Sequence, residues 1–174
     1  MRVAVLTASD AGARGERADT SGDAIVAWAE RRGDVVTARE LVPDDSTAIA
    51  RRLAEWCDGD AADLVLTTGG TGLSPRDVTP EATRAVLERE APGIAERLRV
   101  LCVESFPRAA LSRGTAGVRA RTLVVNLPGS TGGVRDALGA LEPIVNHAVE
   151  IVRDVPTDHS AGRGAGGAGG PAAR

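Results

Sequence analysis

Short apolar runs alternate along the chain with longer segments in which apolar positions recur at helical spacing. Runs of strand length lie at residues 3–8, 35–42, 63–68 and 122–126. Mostly apolar runs of this kind are typical of strands that are covered on both faces. The segments between and after them have helical periodicity, with apolar pairs such as Ile25 and Trp28, Ile49 and Leu53, Ile94 and Leu98, and Leu141 and Val145. The alternation predicts right-handed crossovers, and therefore an α/β fold with helices on both sides of a mostly parallel sheet.

Capping residues and prolines predict where the helices begin and end. The first long helix is expected to have Thr20 or Ser21 as its N-cap. A later helix is expected to have Thr79 as its N-cap, with a proline at the first helical position, and to extend to about Glu90. The last helical segment is expected to be divided near Pro143, because an internal proline removes a backbone hydrogen bond.

Composition indicates one domain with an aliphatic core. The chain has 174 residues, of which 43% are apolar and 2% aromatic. Its net charge of −3 is distributed without a block of one sign, which argues against binding to nucleic acid or to an anionic membrane. No segment resembles a secretory signal or a membrane span, so a cytoplasmic protein with a small ligand or a protein partner is expected. Residues 1–155 are predicted to form the domain, and residues 156–174, rich in Gly and Ala, a disordered tail.

Cysteine and histidine give no sign of a metal or redox centre. Cys57 and Cys102 each lie in an apolar helical pattern, so both are expected to be buried and reduced. His147 is expected at the end of a helix and His159 in the tail. A zinc site would need more ligands of these two types than the chain supplies.

The glycine-rich stretch TTGGTGLSPRD, residues 67–77, leaves the end of a predicted strand. Glycine backbones leave room for successive N–H groups to converge on an anion, and threonine hydroxyls add donors. The stretch contains neither the Walker pattern nor GxGxxG, so a structural turn and a phosphate cradle both remain open. The candidate phosphate-binding residues are Thr68, Gly69, Gly70, Thr71 and Gly72.

Two aspartates follow predicted strands and suggest a divalent cation. Asp77 ends the glycine stretch beside Arg76, where a surface ion pair is the alternative interpretation. Asp44 follows the second strand in Pro43-Asp44-Asp45, where a helix cap is the alternative interpretation. Ser46 or Asp45 could supply that cap, which would leave Asp44 without a structural task. Two carboxylates suit Mg²⁺, which binds through one or two of them together with substrate phosphates. No Ser–His–Asp or Cys–His arrangement is evident, and a substrate phosphate acting as nucleophile would need none, because it is already ionised.

A second loop, NLPGS at residues 126–130, also leads from a strand to a helix. Ser130 is the expected N-cap, and the free N–H groups of the first helical turn favour an anion. Two loops compatible with anions suggest two ligands that bear phosphate.

Several motifs, in the same order along the chain, resemble the MogA/MoaB-like molybdopterin-binding family, which includes the N-terminal domain of gephyrin. They are LTTGGTGLSPRDVTPEAT at 66–83, LSRGTAGVRARTLVVNLPGS at 111–130, VLTASD at 5–10, DTSGDAI at 19–25 and LVPDD at 41–45. The resemblance implies a three-layer α/β/α domain that forms homotrimers. For the MogA-type members it also implies Mg²⁺-dependent transfer of an adenylyl group from ATP to molybdopterin, with release of pyrophosphate.

The resemblance also implies roles for individual residues. Asp44 and Asp77 match the two catalytic aspartates, which would also hold Mg²⁺. The loop for the pterin phosphate matches Gly69, Gly70, Thr71 and Gly72, and further substrate contacts match Ser112, Pro128, Gly129 and Ser130. This chain departs from many relatives at residues 131–133, Thr-Gly-Gly, which supply no cation.

Two other functions remain open at the level of sequence. A non-catalytic, MoaB-like pterin carrier or scaffold would share nearly all of these motifs. A generic nucleotide-binding domain would bind nucleotide without a pterin, although the missing Walker lysine argues against it.

Overall fold

A six-stranded sheet with the strand order β2-β1-β3-β6-β5-β4 organises the structure. The structure is a computed structural model that describes residues 1–156. The strands are β1 (Arg2–Ala8), β2 (Val35–Val42), β3 (Leu64–Thr68), β4 (Arg89–Glu90), β5 (Ala116–Arg119) and β6 (Thr122–Leu127). The helices are α1 (Asp10–Ala13), α2 (Thr20–Arg31), α3 (Ser46–Asp58), α4 (Thr79–Val86), α5 (Pro92–Ser105) and α6 (Thr131–Val152), with a 3-10 helix at Pro107–Leu111.

The four strands predicted from apolar runs form the parallel part of the sheet. β1 pairs in parallel with β2 and β3, and β3 pairs in parallel with β6. β5 and β4 complete the sheet in antiparallel orientation. The mostly parallel sheet is therefore confirmed.

The antiparallel strands β4 and β5 were not predicted, because neither has a strand-like sequence. β5 consists of Ala-Gly-Val-Arg, and Gly117 contributes no side chain. A Cβ on Gly117 would lie 2.4 Å from the carbonyl oxygen of Arg89, so the close pairing of β5 with β4 requires glycine. Pairing with neighbouring strands, and not side-chain pattern, makes this segment extended.

Helices cover both faces of the sheet, and each face has its own core. On β1, Val3 and Val5 belong to the core under α2, α5 and α6. Ala4 and Leu6 alternate with them and belong to the core under α3 and α4. This alternation follows from the two-residue period of a strand. The three-layer α/β/α architecture is confirmed.

Several predicted helix boundaries are wrong, each for a local reason. The N-cap of α2 is Asp19, whose carboxylate accepts the Gly22 N–H, and not Thr20 or Ser21. The residue before α4 is Val78, so Thr79 is its first helical residue and caps nothing.

The end of α4 and the course of α6 also differ from the prediction. α4 ends at Val86 and not near Glu90, because the N–H groups of Glu88 and Ala91 bond to carbonyl groups at β5. α6 is one helix of 22 residues that contains Pro143, and not two helices. Its buried face continues through Leu141 and Val145, and this packing holds the helix together across the proline.

Both cysteines are buried and free, as predicted. No helix within residues 1–156 combines the length and the apolarity needed to cross a membrane. Residues 157–174, which include His159 and all of the predicted tail except position 156, lie outside the described residues.

Candidate active site

The carboxyl ends of β1, β2, β3 and β6 lie at one edge of the sheet because these strands are parallel. Within the sheet, β2 is the neighbour of β1 in one direction and β3 is its neighbour in the other direction. The strand order therefore reverses at β1, which makes this position a topological switch point. Ligands of open α/β sheets bind outside the carboxyl ends of the strands at such a point. The loops predicted to bind substrate, after β3 and β6, meet at this edge together with Asp44.

Asp44 is held by a reciprocal contact with Asp10, which follows β1. The Asp10 N–H donates to Oδ2 of Asp44 over 2.9 Å, and the Asp44 N–H donates to Oδ1 of Asp10 over 3.0 Å. The helix cap here is Asp45, one of the two expected residues, which accepts the Ala48 N–H at the start of α3, so Asp44 is not needed as a cap. Asp44 is consequently half-buried and fixed by the backbone of a different loop.

Arg76 pairs with Asp10 and not with its neighbour Asp77. Its Nη2 and Nε lie 2.7 and 3.0 Å from Oδ2 of Asp10. This hydrogen-bonded pair lowers the pKa of Asp10. The pKa of Asp44 is raised, first by burial and further by the nearby charges of Asp10 and Asp77. The charges of Asp10 and Asp77 thus disfavour the ionised form of Asp44, and a cation bound beside Asp44 would offset this repulsion.

Asp77 is positioned by the glycine stretch and by Arg113. Its Oδ2 accepts the Ser74 N–H over 2.9 Å. Arg113 donates to the carbonyl oxygen of Asp77 over 2.5 Å and to that of Gly72 over 2.6 Å, and it also pairs with Glu81. The guanidinium therefore holds both ends of the loop segment between Gly72 and Asp77. Sequence reasoning missed Arg113, since its only signal was its place in the LSRG motif.

Gly69 and Gly70 both have left-handed backbone conformations, with φ of +93° and +60°. A Cβ on Gly69 would lie 2.2 Å from the carbonyl oxygen of Ala8, and a Cβ on Gly70 would lie 2.4 Å from Oγ1 of Thr79. The loop folds back onto α4, since the Thr79 N–H donates to the carbonyl oxygen of Gly70 over 3.1 Å. Glycine is needed at both positions for conformation and for space.

Thr68 joins the two candidate loops. Its hydroxyl is buried and donates to the carbonyl oxygen of Pro128 over 2.6 Å. A Cβ on Gly129 would lie 3.1 Å from Cα of Gly69, so the loops are in close contact. Thr68 lines neither of the cavities described below, whereas Thr71 lines one of them. Contact between Thr68 and substrate stays a prediction.

Asn126 is a buried amide that links three elements beneath the site. Its Nδ2 donates to the hydroxyls of Thr67 and Thr83, each over 2.9 Å, and its Oδ1 accepts the Thr115 N–H. β3, α4 and the segment before β5 are thereby tied to β6. This segment contains Ser112, whose hydroxyl accepts the Gly114 N–H.

Ser130 is the N-cap of α6, as predicted, and accepts the Gly133 N–H over 3.1 Å. The first turn of this helix therefore faces the glycine stretch with free N–H groups. Such a helix start stabilises negative charge.

Two cavities open at this edge. The carboxylate cavity, about 360 Å³, contains Ser9, Arg17 and Asp19 besides Asp44. The apolar cavity, about 300 Å³, is lined partly by α5, the 3-10 helix and Thr71. The apolar cavity includes Cys102, Phe106, Leu111, Ser112 and Pro128. The two cavities share Gly70, Asp77, Gly129 and Ser130. Two ligands in these cavities would therefore meet over the predicted site residues.

Asp19 is a further, partly buried carboxylate that sequence reasoning missed. Burial acts to raise its pKa, but hydrogen bonds from Arg39, Gly22 and Thr7 outweigh burial, and the pKa is lowered. Asp19 consequently stays charged at the wall of the carboxylate cavity, with both oxygens already engaged.

The fold and the site define an α/β protein with a candidate ligand site, suited to phosphate groups, at the carboxyl edge of its sheet. A family model described as "Probable molybdopterin binding domain" matches residues 4–147. The chain belongs to this family, as the motif resemblance indicated.

Individual relatives agree with this assignment. A Helicobacter pylori protein named molybdopterin adenylyltransferase is 38% identical over 87% of this chain and 88% of its own length. The solved structure of the molybdopterin biosynthesis enzyme MoaB from Thermus thermophilus has 52% identity and a TM-score of 0.84, with 89% of this chain and 98% of that chain covered. The chain is also 38% identical over 86% of its length to molybdenum cofactor synthesis protein cinnamon of Drosophila melanogaster, of which it spans 25%.

Proposed function

We propose that this protein is a molybdopterin adenylyltransferase of molybdenum cofactor biosynthesis, with ATP as the adenylyl donor. The observation that carries the proposal is the meeting of two cavities over Gly70, Asp77, Gly129 and Ser130, with Asp44 beside them. A transfer between two phosphate-bearing substrates requires two adjoining sites with the reacting phosphates in contact. Relatives that bear the name of this activity share most of the chain.

In the proposed reaction, an oxygen of the terminal phosphate of molybdopterin attacks the α-phosphorus of ATP. A new P–O bond forms, the bond between the α-phosphorus and the bridging oxygen breaks, and the leaving group is pyrophosphate. The attacking phosphate is already ionised, so the protein needs no general base. The chain's task is to align the two phosphates and to stabilise their charge.

Backbone donors are suited to hold the phosphates. Gly69, Gly70 and Gly72 have no side chain that could block their amides, and the first turn of α6 adds its free N–H groups. The apolar cavity is suited to the pterin, because Phe106 and Leu111 offer apolar surface beside the polar group of Ser112. The carboxylate cavity is left for the nucleotide.

The residues present fit Mg²⁺, and we propose Asp44 and Asp77 as its protein ligands. Within residues 1–156 no cluster of three or more His, Cys, Asp or Glu side chains is arranged to hold a metal ion. Two carboxylates that lack a complete protein cage fit a cation whose remaining ligands are water and substrate phosphate. When bound, Mg²⁺ supplies neutralisation of phosphate charge.

The test replaces each carboxylate by its isosteric amide. Asp44→Asn and Asp77→Asn are each expected to lower kcat by roughly a hundredfold or more, because each removes charge stabilisation from the transition state. The measurement is the formation of adenylyl-molybdopterin and pyrophosphate from ATP, Mg²⁺ and molybdopterin.

Asp45→Asn is the matched control. Asp45 adjoins Asp44 but caps α3, and asparagine caps a helix as well as aspartate does, so full activity is expected. Wild-type rates in both Asp44→Asn and Asp77→Asn would refute the catalytic assignment. Binding of molybdopterin by the wild-type protein without any product would instead identify a MoaB-like carrier.

We also propose that the protein is a homotrimer. Leu73 and Val100 are exposed large apolar side chains that do not line the apolar cavity, which supports their burial against another copy. Sedimentation equilibrium measures the mass of the assembly directly, and a monomer would contradict the proposal. The expected cytoplasmic location stays a prediction.

A further inference from the structure

The hydroxyl of Thr79 is buried and has no hydrogen-bond partner in the part of the chain that the structure describes. Thr79 is 0% exposed and is the first residue of α4. Its hydroxyl does not cap the helix, because the position before α4 is Val78. One turn later, Thr83 donates its hydroxyl to the carbonyl oxygen of Thr79. A buried hydroxyl without a partner costs about 1–3 kcal/mol, so its presence calls for a reason.

The hydroxyl of Thr79 lies beside Gly70 and faces the same side as Asp44. A Cβ built on Gly70 would lie 2.4 Å from Oγ1 of Thr79 and 3.2 Å from Oδ1 of Asp44. The absence of a side chain at Gly70 is what allows the two groups to share this space. Any other residue at this position would separate them.

Asp44 has an oxygen available for this hydroxyl. Its Oδ2 accepts the Asp10 N–H, and within residues 1–156 Oδ1 receives no hydrogen bond. The Thr79 hydroxyl, which lacks an acceptor, and Oδ1 of Asp44, which lacks a donor, therefore both lie beside Gly70. Both atoms lie within 3.2 Å of the position that a Cβ on Gly70 would occupy, so the two groups border the same space beside this glycine.

We propose that Thr79 is a positioning residue for the transfer reaction: its hydroxyl donates to Oδ1 of Asp44 when substrates are bound. The inference rests on the proposed function, since it assigns Thr79 a task through Asp44. The hydrogen bond fixes the rotation of a carboxylate that is otherwise held at one oxygen only. In this arrangement Thr79 contacts Asp44, and it acts on the substrates only through that residue.

The experiment compares two variants that separate the hydroxyl from the volume of the side chain. Thr79→Val keeps the branched shape and removes the hydroxyl, whereas Thr79→Ser keeps the hydroxyl and removes a methyl group. Thr79→Val is expected to lower kcat roughly ten- to a hundredfold, the value of a hydrogen bond to a charged group, with little change in the KM for molybdopterin. Thr79→Ser is expected to retain kcat within about threefold.

The two variants are expected to rank in the opposite order in stability and in activity. Thr79→Val removes a buried hydroxyl without a partner, so its Tm is expected to equal or exceed that of the wild type. Thr79→Ser leaves a small cavity, and its Tm is expected to fall. A residue that serves packing alone would give the reverse order of activity, with Val active and Ser impaired, and that order would overturn the proposal.

Thr122→Val is the matched control. Thr122 is also fully buried, but it lies at the opposite edge of the sheet, and its hydroxyl donates to the carbonyl oxygen of Ala62 over 2.8 Å. Loss of that bond is expected to lower Tm without changing kcat. Full activity in Thr79→Val would refute the inference and leave the proposed function standing.

A binding measurement keeps the inference testable without turnover. Mn²⁺ binding is measured by electron paramagnetic resonance in the presence of a non-hydrolysable ATP analogue. Thr79→Val is expected to bind Mn²⁺ several-fold more weakly than both wild type and Thr79→Ser. If the wild type forms no product, the proposed function fails, while the order of these affinities still decides the inference. Equal affinities, or no Mn²⁺ binding by the wild type, would overturn it.

Discussion

At the scale of single residues, both candidate catalytic aspartates are held by groups distant in sequence, Asp44 at its carboxylate and Asp77 at its main-chain carbonyl. Asp44 is held through the backbone of Asp10, 34 positions away, and Asp77 through Arg113, 36 positions away. Asp10 and Arg113 lie in motifs that sequence analysis quoted, but no spacing rule connects them to their partners. Their roles follow from contacts between loops on different strands.

Gly70 is the residue at which the site is most sensitive to substitution. Gly70→Ala is expected to lower the free energy of unfolding by about 1–3 kcal/mol and to abolish most activity. The reasons are its left-handed φ of +60° and a Cβ that would lie 2.4 Å from Oγ1 of Thr79. Urea unfolding and the adenylyl-transfer assay measure the two effects.

Gly93→Ala controls for the added methyl group. Gly93 lies in the first turn of α5, and a Cβ there would meet nothing within 4 Å. Unchanged or increased stability is expected for this control. If Gly70→Ala were as stable and as active as Gly93→Ala, the explanation of the glycine loop would be wrong.

At the scale of elements, α6 shows how packing outweighs local preference. Pro143 removes one backbone hydrogen bond from the helix, which led to the wrong prediction of two helices. The apolar face of α6 packs against the sheet on both sides of the proline, through Leu138 and Leu141 before it and Val145 and Val149 after it. The helix therefore remains one element.

The cost of this proline is measurable. Pro143 is exposed, so Pro143→Ala loses little packing and restores an N–H that can donate to the carbonyl oxygen of Gly139. The free energy of unfolding is expected to rise by about 1–2 kcal/mol, after allowance for the more flexible unfolded chain.

Gly139→Ala is the comparison, because a Cβ there meets nothing within 4 Å and only helix propensity changes. A gain of about 0.5–1 kcal/mol is expected for this variant. Urea unfolding of both variants provides the test. A loss of stability in Pro143→Ala would show that the proline is required in α6.

At the scale of the whole molecule, the titratable composition is unusual. The chain contains no tyrosine and no lysine, and it has 21 arginines. Apart from the N-terminal amine, the two cysteines are therefore the groups that ionise in moderately alkaline solution. Burial raises the pKa of the Cys57 thiol from 9.0 to about 11.

This composition predicts a simple alkaline pH dependence of stability. Between pH 9.0 and about 11 the unfolded chain loses the Cys57 proton while the folded chain keeps it. The folded state then binds more protons, so stability falls as the pH rises, by on the order of 2 kcal/mol. Urea unfolding under reducing conditions, followed by the fluorescence of Trp28 and Trp56, measures this decrease.

Cys57→Ala is expected to remove most of this alkaline decrease in the free energy of unfolding. The smaller remainder belongs to Cys102, whose pKa is also raised by burial. An unchanged slope in Cys57→Ala would contradict the assignment. The variant's lower stability at neutral pH, from the lost side-chain volume, does not affect the comparison of slopes.

The sequence by itself determined the class of fold, and it predicted the edge of the sheet at which the candidate site lies and the two loops that meet there. Apolar runs and helical periodicity suffice for this, because the core of a parallel sheet requires them. The motifs further identified the family, and they predicted Asp44 and Asp77 as catalytic residues. These properties depend on residues that are close together in the chain.

Only the tertiary structure decided what depends on contact between distant segments. It made the Ala-Gly-Val-Arg segment a strand by pairing it with β6, kept α6 whole across Pro143, and paired Arg76 with Asp10 instead of Asp77. It also turned Thr79 from an expected helix cap into a buried hydroxyl beside Gly70 and Asp44. The physical reason is common to all four: hydrogen bonding and burial across the fold outweigh the local preferences that a sequence pattern records.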